Sequence, residues 1–84
     1  MEEKLVGKVA HYFTKIGVAV IDLSAELKVG DIIAIVGKGG TKVEQVVTSM
    51  QIEKAQVPVA TKGQSIGLKV SGRVHEGDSV VKVT

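Results

Sequence analysis

The stretch IIAIVGKGGTKVEQVV, from Ile32 to Val47, constrains the architecture of this chain most strongly. A β-branched apolar run meets a Gly-Lys-Gly-Gly-Thr loop, and the residues beyond the loop suit either a strand or a helix. Strand, glycine loop and helix in this order would form a phosphate-binding loop. The Walker pattern requires Ser or Thr directly after its lysine, however, and Lys38 is followed by Gly39. We therefore predict a tight turn between two strands, and no nucleotide partner.

The composition is typical of an all-β protein with a single core. Of the 84 residues, sixteen are valine and seven are isoleucine, side chains that are stiff at χ1 and suit a pleated sheet. Ten glycines and one proline supply frequent turns between short strands. The length fits one domain, residues 1–84.

Charge, cysteine content and hydropathy narrow the possible functions. Eleven basic and nine acidic residues give a net charge of +2, which permits a nucleic-acid partner without requiring one. Cysteine is absent, which excludes disulfides and thiolate metal sites and favours a cytoplasmic location. No segment approaches the ~20 apolar residues that span a bilayer, and the amino terminus lacks the apolar region of a secretory signal. We expect no membrane partner.

For two segments, periodicity alone does not decide between a strand and a helix. Across residues 5–13, alternation places Leu5, Val9 and Phe13 on one face, and helical spacing fits almost as well. Gly7 weighs against a helix, so we predict a strand there.

The second segment, residues 41–54, is not assigned by its periodicity. Its valines and Met50 sit at helical spacing, while the β-branched run Val46-Val47-Thr48 favours a strand.

The sequence contains no residue pattern typical of catalysis or metal binding. The two histidines, His11 and His75, do not have the spacing of a metal-ligand motif. The serines lie in turn or strand contexts without a nucleophile elbow. Asp31 and Asp78 follow glycine, where turn formation already explains them. We therefore predict that the chain is not an enzyme and carries neither metal nor cofactor.

Three stretches, taken in order, resemble the second domain of the translation GTPases, such as elongation factor Tu. They are LKVGDIIAIVG (27–37), VTSMQIEKAQVPVATKGQSIGLKVSG (47–72) and VHEGDSVVKV (74–83). The resemblance implies a small closed six-stranded antiparallel Greek-key barrel of the translation-factor type, in which residues 5–13 and 42–52 are strands. No GTPase domain is present. The chain most resembles the small stand-alone elongation-factor-like proteins, or the related barrel appended to some peptidases.

This resemblance implies a non-catalytic binding module that contacts tRNA, ribosomal RNA or a protein of the translation apparatus. The family's pocket for the acceptor end of tRNA corresponds by position to residues 11–13 and 51–53 here. The RNA-binding residues that this matching predicts are Lys8, His11, Tyr12, Lys15, Gln51 and Lys69. In this interpretation, Tyr12 or His11 stacks on a terminal base and the lysines meet phosphates or line the pocket.

Two other functions stay open. The first is a protein-interaction barrel that assists a separate enzyme. The second is a degenerate carrier domain of the biotinyl or lipoyl type, since such domains have a similar size and carry EGD-x-V near their end. Gln51 stands where the acceptor lysine would be needed, and Lys54 comes three residues later. The sequence does not indicate an oligomeric state.

Overall fold

The computed structural model describes residues 3–40 and 42–83, which form antiparallel strands joined by short turns. The strands in these ranges are β1 (Glu3–Phe13), β2 (Val18–Leu23), β3 (Leu27–Lys28), β4 (Ile32–Val36), β5 (Lys42–Val46), β6 (Met50–Ile52), β7 (Ala55–Val57), β8 (Val59–Ala60), β9 (Ser65–Lys69) and β10 (Ser79–Val83). A 3-10 turn over Lys38–Gly40 connects β4 to β5, as predicted. Thr41, the first residue of the unassigned segment, lies outside the described residues. No helix in the described ranges has the length and hydropathy to cross a bilayer.

Eight strands form one antiparallel sheet in the order β5-β4-β10-β1-β2-β9-β6-β7, and β3 pairs with β8. The all-β, antiparallel prediction is confirmed. The second ambiguous segment, as far as it is described, forms strands β5 and β6. The closed six-stranded Greek-key barrel is not confirmed, because no pairing between described residues joins the two ends of this strand order.

Strand β1 is paired on both sides and contains two irregularities. Its register with β10 shifts between Leu5 and Gly7, and its register with β2 shifts between Val9 and His11. Each shift inserts one extra residue into β1, so the alternation that starts at Leu5 is reversed after the first shift and restored after the second.

The two shifts change which residues of β1 face the interior. Val6 and Val9 are buried, and Tyr12 is half-buried and packs against the core. Leu5 and Phe13 are exposed. The predicted common face of Leu5, Val9 and Phe13 is therefore wrong, although the prediction of a strand is confirmed.

The interior of the sheet is filled by aliphatic side chains that alternate with exposed residues along the strands. Burying each of the larger ones stabilises the fold by about 1.5–3 kcal/mol. The largest fully buried side chains are Ile21, Leu27, Ile33, Ile35, Met50, Ile66 and Leu68.

Gly7 lies in β1 opposite Leu23 of β2, at a position with no room for a side chain. A Cβ atom at this position would lie 2.5 Å from the main-chain oxygen of Asp22 and 3.0 Å from Cγ2 of Ile21. A backbone oxygen of a paired strand cannot move away without opening the sheet, so only glycine fits here.

We expect Gly7→Ala to lower the free energy of unfolding by about 2–3 kcal/mol, because the added methyl group forces β1 away from β2. Urea unfolding followed by far-ultraviolet circular dichroism measures the change. Gly67→Ala is the matched control, since a Cβ there meets only Val18 Cγ1 at 3.7 Å and Gln51 O at 3.9 Å, which are ordinary contacts. Equal losses of stability in the two variants would contradict the close approach at Gly7.

Candidate binding surface

Two residues predicted to bind a ligand lie in one row across four strands. His11 of β1 pairs with Val20 of β2, Val20 pairs with Gly67 of β9, and Gly67 pairs with Gln51 of β6. Side chains directly opposite each other in an antiparallel sheet point to the same side. His11 and Gln51 therefore share the outer face of the sheet, three strand spacings or about 14 Å apart.

The neighbouring row adds an exposed aromatic ring and a lysine. Phe13 pairs with Val18, and Val18 pairs with Lys69. Phe13 is 46% exposed, and its ring stands edge-on to the His11 imidazole with the centroids 4.4 Å apart. We refer to these two rows as the aromatic face, which consists of His11, Phe13, Val18, Val20, Gln51, Gly67 and Lys69.

The other predicted lysines border the aromatic face. Lys8 lies one row further along β1, opposite Asp22, whose carboxylate accepts a hydrogen bond of 2.6 Å from the Ser65 hydroxyl. Lys15 lies in the turn between β1 and β2, next to Ile16, which is 62% exposed. The structure thus brings Lys8, His11, Gln51 and Lys69 onto one side of the sheet and places Lys15 at its end.

Tyr12 does not belong to the aromatic face. Its partner in β2 is the buried Ala19, and Tyr12 packs against the core. The exposed ring is that of Phe13, which simple alternation places on the same face as Val9. The signal that distinguishes the two rings is the register shift before His11, and the sequence pattern does not show it.

A hydrogen bond connects the aromatic face to the loop between β9 and β10. Nδ1 of His11 lies 2.8 Å from Oε2 of Glu76, so the contact becomes an ion pair when the imidazole is protonated. Both side chains are at least half exposed, and an exposed pair of this kind contributes at most about 1 kcal/mol to stability. The imidazole therefore contacts a carboxylate and an aromatic ring at the same time.

The end of the sheet beside the aromatic face is concave. One cavity of ≈ 310 Å³ is lined by residues 11–16, and another of ≈ 460 Å³ lies between Lys38 and residues 75–78. Arg73 borders a third, of ≈ 310 Å³, together with Tyr12. No group of three His, Cys, Asp or Glu side chains placed to hold a metal ion occurs in the described part of the chain. The surface therefore combines aromatic, aliphatic and basic groups.

No family model matches the chain. Among curated proteins, it is 45% identical over 75 residues to an uncharacterised protease of Methanocaldococcus jannaschii, a match that covers 89% of this chain and 18% of that protein. It is 35% identical over 82 residues to a collagenase of Porphyromonas gingivalis, covering 96% of this chain and 23% of the collagenase. The chain spans about a fifth of the length of these relatives.

The fold also occurs in a solved structure of another protein. The structure matches the C-terminal domain of a protein named as a U32 peptidase from Geobacillus thermoleovorans with a TM-score of 0.89 and 19% identity, covering 96% of this chain and 93% of that domain. The selenomethionine variant of the same domain gives a TM-score of 0.86. At this level of identity, the likeness establishes the fold alone.

These comparisons correct three expectations. The resemblance to translation factors does not identify the chain, because its relatives are named as a protease and collagenases, and the matching structure is the C-terminal domain of a protein named as a U32 peptidase. The same findings overturn the function as a translation module that contacts tRNA or ribosomal RNA, and they do not support a carrier domain. The expectation that the chain is not an enzyme is corrected as well, since its relatives are named as enzymes.

We expect Tyr12→Ala to lower the free energy of unfolding by about 2–3 kcal/mol and Phe13→Ala by less than about 1 kcal/mol, because only Tyr12 packs against the core. Urea unfolding of the two variants and the unchanged chain provides the comparison. A larger loss in Phe13→Ala than in Tyr12→Ala would show that Phe13 is a core residue and would remove it from the aromatic face.

Proposed function

We propose that this chain is a domain of a peptidase of the U32 or collagenase-like kind, and that its aromatic face holds an extended segment of the protein substrate. The observation that carries the proposal is the 45% identity to a protease over 89% of the chain. The two collagenases, 35% and 37% identical over more than nine-tenths of the chain, support the same assignment.

The aromatic face suits an extended polypeptide in shape and in chemistry. Phe13 supplies an exposed ring, and the half-buried Val18 and Val20 supply an aliphatic floor beside it. Gly67 has no side chain, which leaves a shallow position between Val20 and Gln51. Proline-rich segments in the polyproline II conformation dock on aromatic-lined grooves. Chains of this conformation build collagen, the substrate that the names of two relatives imply.

Polar side chains around the aromatic face supply partners for a peptide backbone. A polyproline II segment makes no internal hydrogen bonds, so its carbonyl groups are free to accept them. The Gln51 amide both donates and accepts, and the ammonium groups of Lys8 and Lys69 donate. All three side chains are exposed on the same side of the sheet, so they can contact one bound segment.

We also infer that the sheet closes into a barrel, which would hold the aromatic face rigid. Support comes from Gln45 of β5, whose side-chain amide donates to the Lys69 carbonyl at 2.8 Å. Its oxygen accepts a hydrogen bond of 2.8 Å from the Ser71 amide. These two bonds link β5, at one end of the strand order, to the end of β9.

Titration of the full chain with a (Pro-Pro-Gly)₁₀ peptide tests the substrate role. We expect saturable binding, with amide chemical-shift changes in NMR spectra centred on His11, Phe13, Gly67 and Lys69. Phe13→Ala should raise the dissociation constant at least about fivefold, because a bound ring contact contributes roughly 1 kcal/mol. A Gly-Ser peptide of the same length should not bind, since it offers no apolar ring to Phe13.

Ile32→Ser is the matched control, because Ile32 is also 46% exposed but lies outside the aromatic face. Its affinity for the peptide should equal that of the unchanged chain. Absence of saturable binding, or equal affinities for Phe13→Ala and Ile32→Ser, would overturn the peptide-holding role.

A further inference from the structure

A second exposed apolar surface lies on the outer side of the other half of the sheet. It is formed by two cross-strand rows, one through β1, β10 and β4 and the other through β10, β4 and β5. Leu5, Ile32 and Val46 are 48%, 46% and 49% exposed, so three large aliphatic side chains lie in water in adjacent rows. We refer to this surface as the aliphatic face, which consists of Leu5, Ile32, Val46, Val81 and Val83.

We propose that the aliphatic face docks against the larger part of the peptidase to which domains of this kind belong. The identity of the occupant rests on the proposed function, whereas the position of the contact rests on the geometry of this face. The relatives are about four to five times longer than this chain, so most of each relative lies outside the matching stretch.

The start of β1 lies at the edge of the aliphatic face, which brings a preceding polypeptide close to it. The solved domain with this fold is the C-terminal domain of its protein, so the rest of that protein precedes β1. Glu3, at the start of β1, pairs with Val83 of the aliphatic face, and Leu5 follows two residues later. A polypeptide that leads into β1 therefore reaches the domain at the edge of this face.

The surroundings of the aliphatic face match those of an interface between domains. Lys42 of β5 lies 3.6 Å from a carboxylate oxygen of Glu3 and 3.9 Å from one of Glu44. Glu44 pairs with Ala34 in the row beside that of Val46, so this charged cluster borders the apolar centre. An apolar centre with a charged rim is the usual composition of a docking surface.

The two faces use different parts of β1, so both can be occupied at once. The aliphatic face includes Leu5, which precedes the first register shift. The aromatic face includes His11 and Phe13, which follow the second. Docking through the aliphatic face leaves the aromatic face in solvent, where it can hold a substrate segment.

Thiol accessibility tests the contact, because the chain contains no cysteine and a single introduced thiol reports on one position. Ile32→Cys probes the aliphatic face and Phe13→Cys the aromatic face. Each is compared in the full chain and in the Methanocaldococcus jannaschii protease with its matching stretch replaced by this chain. Alkylation by N-ethylmaleimide, followed by mass spectrometry of the labelled peptide, should be at least tenfold slower for Ile32→Cys in the longer protein. The rate for Phe13→Cys should change less than twofold.

Equal rates for Ile32→Cys in the two proteins would overturn the docking. Protection of Phe13→Cys alone would overturn both the docking and the substrate role. Slower labelling of Ile32→Cys in the isolated chain as its concentration rises would assign the face to a second copy and would also refute the proposal. If the docking fails while (Pro-Pro-Gly)₁₀ still binds, the proposed function stands. If Ile32→Cys is protected but the peptide does not bind, the docking stands and the peptide-holding role is overturned.

Hydrogen exchange provides a second measurement that does not depend on a folded graft. In the intact Methanocaldococcus jannaschii protease, amides of the segments that match β4 and β5 should exchange at least tenfold more slowly than those strands do in this chain. Segments that match β2 and β9 serve as the internal reference. Equal slowing of both sets, or of neither, would contradict docking through the aliphatic face.

Discussion

The close approach of Gly7 to the carbonyl group of Asp22 is the constraint on which the rest of the structure depends. It lets β1 pass tightly along β2 while β1 also pairs with β10 on its other side. Since β1 belongs to both halves of the sheet, a side chain at Gly7 would separate the surfaces that the two halves present. The absence of a Cβ atom at Gly7 thus permits the pairing of β1 that connects the aromatic and aliphatic faces.

Strand β1 contributes to two different outer surfaces, and the segment between its two register shifts places Val9 in the interior. Before the first shift, β1 exposes Leu5 to the aliphatic face; after the second, it exposes His11 and Phe13 to the aromatic face. One face of β1 packs on the core through Val6 and Val9, and the other is exposed. Irregular pairing is a common way to redirect side chains toward a binding surface.

The comparisons show why a translation-factor family was wrongly inferred from the sequence motifs. Glycine-turn-strand units such as VGDIIAIVG and EGDSVVKV specify where strands begin and where turns fall, and several families with unrelated activities use them. The matching by position still brought His11, Gln51 and Lys69 to one face, because the fold places β1, β9 and β6 side by side. The common position of these three residues follows from the architecture, while the RNA ligand was inferred from the wrong family.

Local chemistry in the sequence was sufficient to predict the all-β class, the turn at Lys38–Gly40 and the strand that begins at Ile32. The preferences of β-branched residues for strands and of glycine for turns depend only on a few neighbouring residues. It was not sufficient to assign Tyr12 to the core and Phe13 to the surface. Alternation along β1 is interrupted wherever a partner strand shifts register, and the partners β2 and β10 come from different parts of the chain. The exposed ring, and with it the candidate site, therefore depends on pairing between distant segments, which periodicity within one segment does not contain.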